Sequence, residues 1–144
     1  MKPDSASLCY SGLKTGMAAA VFNEIAERLQ DLCRDGQPSA IDLRGIPLTE
    51  ADLAELEEML GTGEVTASLE VAGPTRIWET AYAGVWWVRH LGAGGRVAAE
   101  EIAITKLPEI LESHPGDIAA AAERIRLELE TADRGGINKE ASHG

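Results

Sequence analysis

Glu79, Arg89 and His90 are the residues of this chain whose types and spacing could do chemistry together. A carboxyl group buried beside an apolar ring has its pKa raised, so Glu79 could serve as a general base, with Arg89 and His90 lining the same pocket under neighbouring tryptophans. That is the enzyme or small-ligand reading. Against it, no nucleophile stands with a base and an orienting group at a recognisable spacing, and a cross-strand ion pair is the commoner fate of such residues.

Other chemistries find less to work with. Cys9 and Cys33 form no CxxC pair, and with three scattered histidines they give no metal-ligand spacing, so neither a metal nor a cofactor is expected. Cys33 falls on the apolar side of a predicted helix and reads as a buried free thiol. Gly92, Gly94 and Gly95 make no phosphate loop, because no helix follows and no lysine is placed to meet a phosphate; Gly61 and Gly63 fail the same test.

The stretch WETAYAGVWWVRHL, residues 78–91, holds all three tryptophans and Tyr82 in a chain with six aromatic residues. Adjacent side chains on a strand point to opposite faces, so a single core cannot take both Trp86 and Trp87. One is expected in the core and the other in a partner surface, a dimer seam or under a covering helix. Tryptophan, tyrosine and arginine are enriched at binding hot spots, which makes Trp78, Glu79, Tyr82, Trp86, Trp87, Arg89 and His90 the candidate partner-binding set.

Those residues must be positioned by strands. From Thr15 to about Arg34, apolar residues recur at helical spacing and Asp35-Gly36 offers a stop. SAIDLRG, 39–45, is a short strand candidate. In the next segment Thr49 and Asp52 form a capping box ahead of a helix with a Leu53, Leu56, Met59 and Leu60 stripe, closed by Gly61. The period then changes to two: Val65, Ala67, Leu69 and Val71 alternate with polar residues, and further strands are predicted over 75–81, 85–91 and 97–105. The GAGG turn at 92–95 joins the last two as a hairpin. After Pro108 and an interruption at His114-Pro115-Gly116, a helix places Ile118, Ala122, Ile125 and Leu129 on one face.

Consecutive strands with short connections imply an antiparallel meander. The fold expected is α+β, a meander sheet of about four to five strands with helices packed on one face and nothing obvious covering the other. Residues 1–13 read as a flexible arm, 14–131 as a single α+β domain and 132–144 as a disordered tail. The net charge of −11 and sequence pI near 4.6 argue against nucleic acid as a partner. With no apolar run of membrane-spanning length, no membrane insertion is expected and a cytoplasmic location follows. The acidic face Glu50, Glu55, Glu57 and Glu58 reads as solvated.

Three stretches, LTEADLAELEEMLGTGEV, RIWETAYAGVWWVRHL and EEIAITKLPEIL, resemble the HupH/HyaF family of hydrogenase expression and maturation proteins. The LGxGEV turn from Leu60 to Val65, the ET…GVWWV run from Glu79 to Val88 and the strand ending before Pro108 carry the resemblance, over about residues 47–112. It implies a non-catalytic, chaperone-like accessory protein for nickel–iron uptake hydrogenase, binding a hydrogenase subunit precursor, the iron–sulfur small subunit favoured, and other maturation proteins. Relatives are often longer, with this module as their C-terminal part, and the single module together with an uncovered sheet face favours a homodimer. In the LGTGEV turn, Gly61 and Gly63 are expected for positive φ angles, and any recognition role of the turn, Glu64 included, rests on the resemblance.

Overall fold

A five-stranded antiparallel sheet carries the tryptophan segment across its middle. The computed structural model describes residues 12–70 and 72–143, with side chains through Gly135. Most of the expected N-terminal arm, Cys9 and Val71 lie outside the described residues. The chain divides into two units, Met1–Pro108 and Glu109–Gly144.

In the first unit, α1 (Met17–Asp35) buries Ala18, Val21 and Ile25 and half-buries Phe22, Leu29 and Leu32. It ends where Gly36 turns left-handed and its N–H reaches Leu32 O at 2.9 Å. Cys33 is exposed, against the expectation of a buried thiol. It sits roughly 80° around the helix from Ile25, beyond the edge of the buried stripe. Strand β1 (Ser39–Asp42) is shorter than its apolar run suggests. The Asp42 carboxylate accepts the Arg44 N–H at 3.0 Å and bends the chain into a 3₁₀ turn over Leu43–Gly45.

Helix α2 (Glu50–Leu60) has the capping box read from sequence, and Leu56 and Leu60 are fully buried. Four strands follow: β2 (Thr66–Glu70), β3 (Pro74–Glu79), β4 (Val85–Leu91) and β5 (Val97–Ile104). The sheet order is β1-β5-β4-β3-β2, so β2 to β5 form the predicted meander and β1 adds beside β5. Both outer pairs are antiparallel, with Ile41 opposite Ile102 and Ala67 opposite Ile77.

Two helices pack on one face of this sheet, against Ile41, Trp78, Val85, Trp87, Ile102 and Ile104. The other face is not left in water: Ile77, Trp86, Val88 and Ala103 are buried as well. Strand β2 contributes its half-buried Ala67 and Leu69 to that second face, while Thr66 and Ser68 stand exposed on the helix side.

The second unit holds a 3₁₀ turn at Glu109–Leu111 and helix α3 (Pro115–His143). Proline opens α3 at its first position, where its missing N–H costs nothing, and His114 Nδ1 accepts the Gly116 N–H at 3.0 Å. His114-Pro115-Gly116 is therefore a helix start. Ile118, Ile125 and Leu129, the predicted apolar face, are exposed. The helix runs to His143. Among the described residues no helix is long and apolar enough to cross a membrane.

Candidate functional site: the tryptophan strands and the turn beside them

Strand β4 sits between β3 and β5, and its register decides where each candidate residue goes. Trp78 pairs with Trp87, Glu79 with Trp86 and Ile77 with Val88. Trp78, Trp87 and Arg89 accordingly share the helix-covered face, whereas Glu79, Trp86 and His90 belong to the other. The enzyme reading needed Glu79, Arg89 and His90 in one pocket. The strand period separates Arg89 from the other two.

On the helix side the indoles of Trp78 and Trp87 stack, with centroids 5.6 Å apart and planes 8° from parallel. The Arg89 guanidinium carbon lies 5.0 Å from the Trp78 centroid and 5.7 Å from that of Trp87, within cation–π range. Arg89 Nε donates to Glu100 Oε2 at 2.7 Å, and Arg89 NH2 reaches Glu57 on α2 at 3.3 Å. The same Glu100 oxygen accepts the Trp87 indole N–H at 2.7 Å. Arg89 thus has its ion pair, but the partner is on β5 and α2, and Glu79 takes no part.

Trp86 and Trp87 are both buried, one on each face of the sheet. Trp87 is 0% exposed; Trp86 is 4% exposed and donates its indole N–H to Thr105 O at 3.2 Å. Sequence alternation identifies the two faces but cannot show that both are covered. On the second face His90 Nδ1 and Thr75 Oγ1 share a hydrogen bond of 2.7 Å.

Tyr82 is the aromatic residue of this segment that does face solvent, at 44% exposure. It stands in the 80–84 loop, beyond the end of β3. Thr80 shapes that loop: its buried hydroxyl donates to Val85 O at 2.9 Å and accepts the Tyr82 N–H at 3.2 Å. The Tyr82 ring meets Phe22 of α1 edge-on at 5.7 Å.

The LGTGEV turn lies directly against this segment. Gly63 N–H donates to Glu79 O at 2.7 Å, Glu79 N–H to Val65 O at 2.9 Å and Ala81 N–H to Leu60 O at 2.9 Å. Gly61 has the expected positive φ, 64°. The reason for Gly63 is different: a Cβ there would stand 2.7 Å from Thr80 O and 2.9 Å from Glu79 Oε1. Close backbone approach requires that glycine. Glu64 is exposed beside it.

Sequence reasoning passed over Glu100 and Arg76. Both were legible in the period of two, since Glu100 is in phase with the buried Ile102 and Ile104, and Arg76 with Trp78. A charge at an inward-phase position signals a partner or a cleft. Glu57, Arg76, Trp78 and Arg89 border a cleft of about 270 Å³. Among the described residues, no three histidine, cysteine or acidic side chains are grouped to hold a metal.

The fold and site define an α+β module whose central strands are locked by an indole, guanidinium and carboxylate cluster. The conserved region described as "HupH hydrogenase expression protein, C-terminal conserved region" matches residues 16–132, and the chain belongs to that family. It is 36% identical over 95 residues to the hydrogenase expression/formation protein HupH of Rhodobacter capsulatus, covering 66% of this chain and 34% of that protein. To the hydrogenase-1 operon protein HyaF of Escherichia coli it is 29% identical over 91 residues, covering 63% and 32%. The chain spans about a third of the length of these relatives. A solved structure, the hydrogenase expression protein HupH from Thiobacillus denitrificans, superposes with a TM-score of 0.76 at 41% identity, covering 84% of this chain and 99% of that one.

Proposed function

We propose that this chain is a non-catalytic, chaperone-like accessory protein in the maturation of nickel–iron uptake hydrogenase, acting in the cytoplasm on the precursor of the iron–sulfur small subunit. Membership of the hydrogenase expression family supports the process. The observation that carries the docking surface is Tyr82. It is an exposed aromatic ring on a loop fixed by Thr80 and backed by Phe22, which is the pre-organised anchor that binding hot spots favour. Glu79 and the Gly61–Glu64 turn flank it. The buried Trp78, Trp86 and Trp87 serve this surface as its rigid support, with Arg89 holding the stack and His90 the far end of the strand.

The site's ionisable groups support a non-catalytic role, because Arg89 and Glu100 are committed to each other and to an indole. The test is co-purification of the hydrogenase small-subunit precursor with wild type and with Tyr82→Ala, the variant's fold checked by circular dichroism. The substitution is expected to weaken capture by about 2 kcal/mol, roughly thirtyfold. Equal capture by both proteins would remove Tyr82 from the interface. Failure of wild type to capture either subunit would remove the precursor as partner.

A further inference from the structure

The cleft beside Trp78 carries chemistry that docking through Tyr82 leaves unused. Its lining includes Thr62, Thr66, Ser68, Arg76, Trp78 and Arg89. Trp78 is 6% exposed, and its indole N–H is the buried side-chain donor that has no hydrogen-bond acceptor among the described residues. The other two indoles have theirs, Glu100 for Trp87 and Thr105 O for Trp86. A buried donor without an acceptor is uncommon in native structures.

The cations tell the same story. Arg76 stands directly opposite Arg89 across the strand pair, an arrangement of like charges that is unfavourable by itself. Arg89 is neutralised by Glu100 and Glu57, whereas Arg76 has no ion pair among the described residues. Thr66 and Ser68 add hydroxyl donors from the exposed helix-side face of β2.

We infer that this cleft is a binding site for a monocarboxylate. A carboxylate offers two oxygens to the Arg76 fork, with the threonine and serine hydroxyls completing the shell and the Trp78 indole in the cleft wall beside it. Glu57 on the same rim repels further negative charge, which selects a monoanion over a phosphate dianion. The carboxylate has two sources: a free small acid, or the side chain of an acidic residue in a peptide laid along β2, the edge strand whose Thr66, Ala67 and Ser68 border the cleft. The site is read from the cleft alone and stands whether or not the small-subunit precursor is the partner.

The test follows the Trp78 indole N–H by NMR in the ¹⁵N-labelled chain, assigned by its loss in Trp78→Phe. Sodium acetate and a blocked extended peptide with one central glutamate are titrated, with sodium chloride and phosphate at matched ionic strength. Acetate is expected to move the Trp78 signal saturably while Trp86 and Trp87 stay, and Arg76→Gln to weaken the effect by at least about tenfold. A peptide that binds more tightly than acetate assigns the source as peptide, and one no tighter assigns a free acid. No movement with either carboxylate, an equal response to chloride or phosphate, or unchanged binding by Arg76→Gln would overturn the site. These readouts are separate from precursor capture by the Tyr82 surface.

Discussion

The Trp87 indole N–H and the Glu100 carboxylate meet at 2.7 Å on the helix-covered face of the sheet, with both residues out of solvent. The same oxygen holds Arg89, so one carboxylate satisfies a neutral and a charged donor at once. A buried charge is tolerated when it is paired and hydrogen-bonded in this way.

Replacing Glu100 by alanine would leave the Trp87 N–H and the Arg89 guanidinium without their shared acceptor. The expected loss is about 2–3 kcal/mol in urea unfolding, with Arg89 partly rescued by water at its exposed edge. Glu100→Gln keeps an acceptor for one of the two and should lose less. An alanine variant as stable as wild type would show that the cluster does not hold the strands.

Trp86 should behave as core. Its emission and that of the other two tryptophans is expected to be blue-shifted and poorly quenched by acrylamide in the folded chain. Trp86→Ala should cost about 3–5 kcal/mol. Ready quenching of one indole would return a tryptophan to the surface.

Gly63→Ala tests the contact between the glycine turn and the Glu79-Thr80 segment. The new Cβ would sit 2.7 Å from Thr80 O, a backbone atom that cannot swing aside. A loss of about 1–3 kcal/mol is expected. Glu64→Ala, one residue on and exposed, should change stability by about 0.5 kcal/mol or less. Thermal or urea unfolding of the two variants gives the comparison.

Asp52 sets an acid limit. Its carboxyl is held at about 2, down from 3.8, first by the Thr15 hydroxyl, against the opposing effect of burial, and then by the Thr15 and Thr49 backbone N–H groups and the Thr49 side chain. The Thr15 hydroxyl lies 2.6 Å away and its N–H 2.8 Å. A depressed folded-state pKa stabilises above the unfolded value and is lost as pH falls through the folded one. The Asp52 contribution is therefore complete above about pH 4 to 5 and disappears towards pH 2. Stability curves of wild type and Asp52→Asn, measured from pH 6 to 2, should converge in that window. Parallel curves would mean that the carboxylate is not the sensitive group.

Much of this molecule was legible in its sequence because its elements are locally consistent. Thr49 and Asp52 announce the start of α2, Gly36 and Gly61 the ends of α1 and α2, and the period of two after Gly63 the strands of the meander. The HupH-like stretches around residues 47–112 were likewise readable as patterns of residue types. Alternation alone placed Trp86 and Trp87 on opposite faces.

Tertiary structure decided what those faces meet. That both tryptophans are buried, that Arg89 pairs with Glu100 and Glu57, and that Cys33 lies off the helix stripe depend on strand register and helix packing between residues far apart in the chain. Gly63 shows the difference most plainly: any turn can use a glycine, but only the folded chain brings Thr80 O within 2.7 Å of where its Cβ would be. Local sequence sets period and caps through short-range sterics and hydrogen bonds. Which inward-phase charge finds a partner, as Glu100 does, and which faces a cleft, as Arg76 does, is set by contacts that exist only after the sheet has assembled.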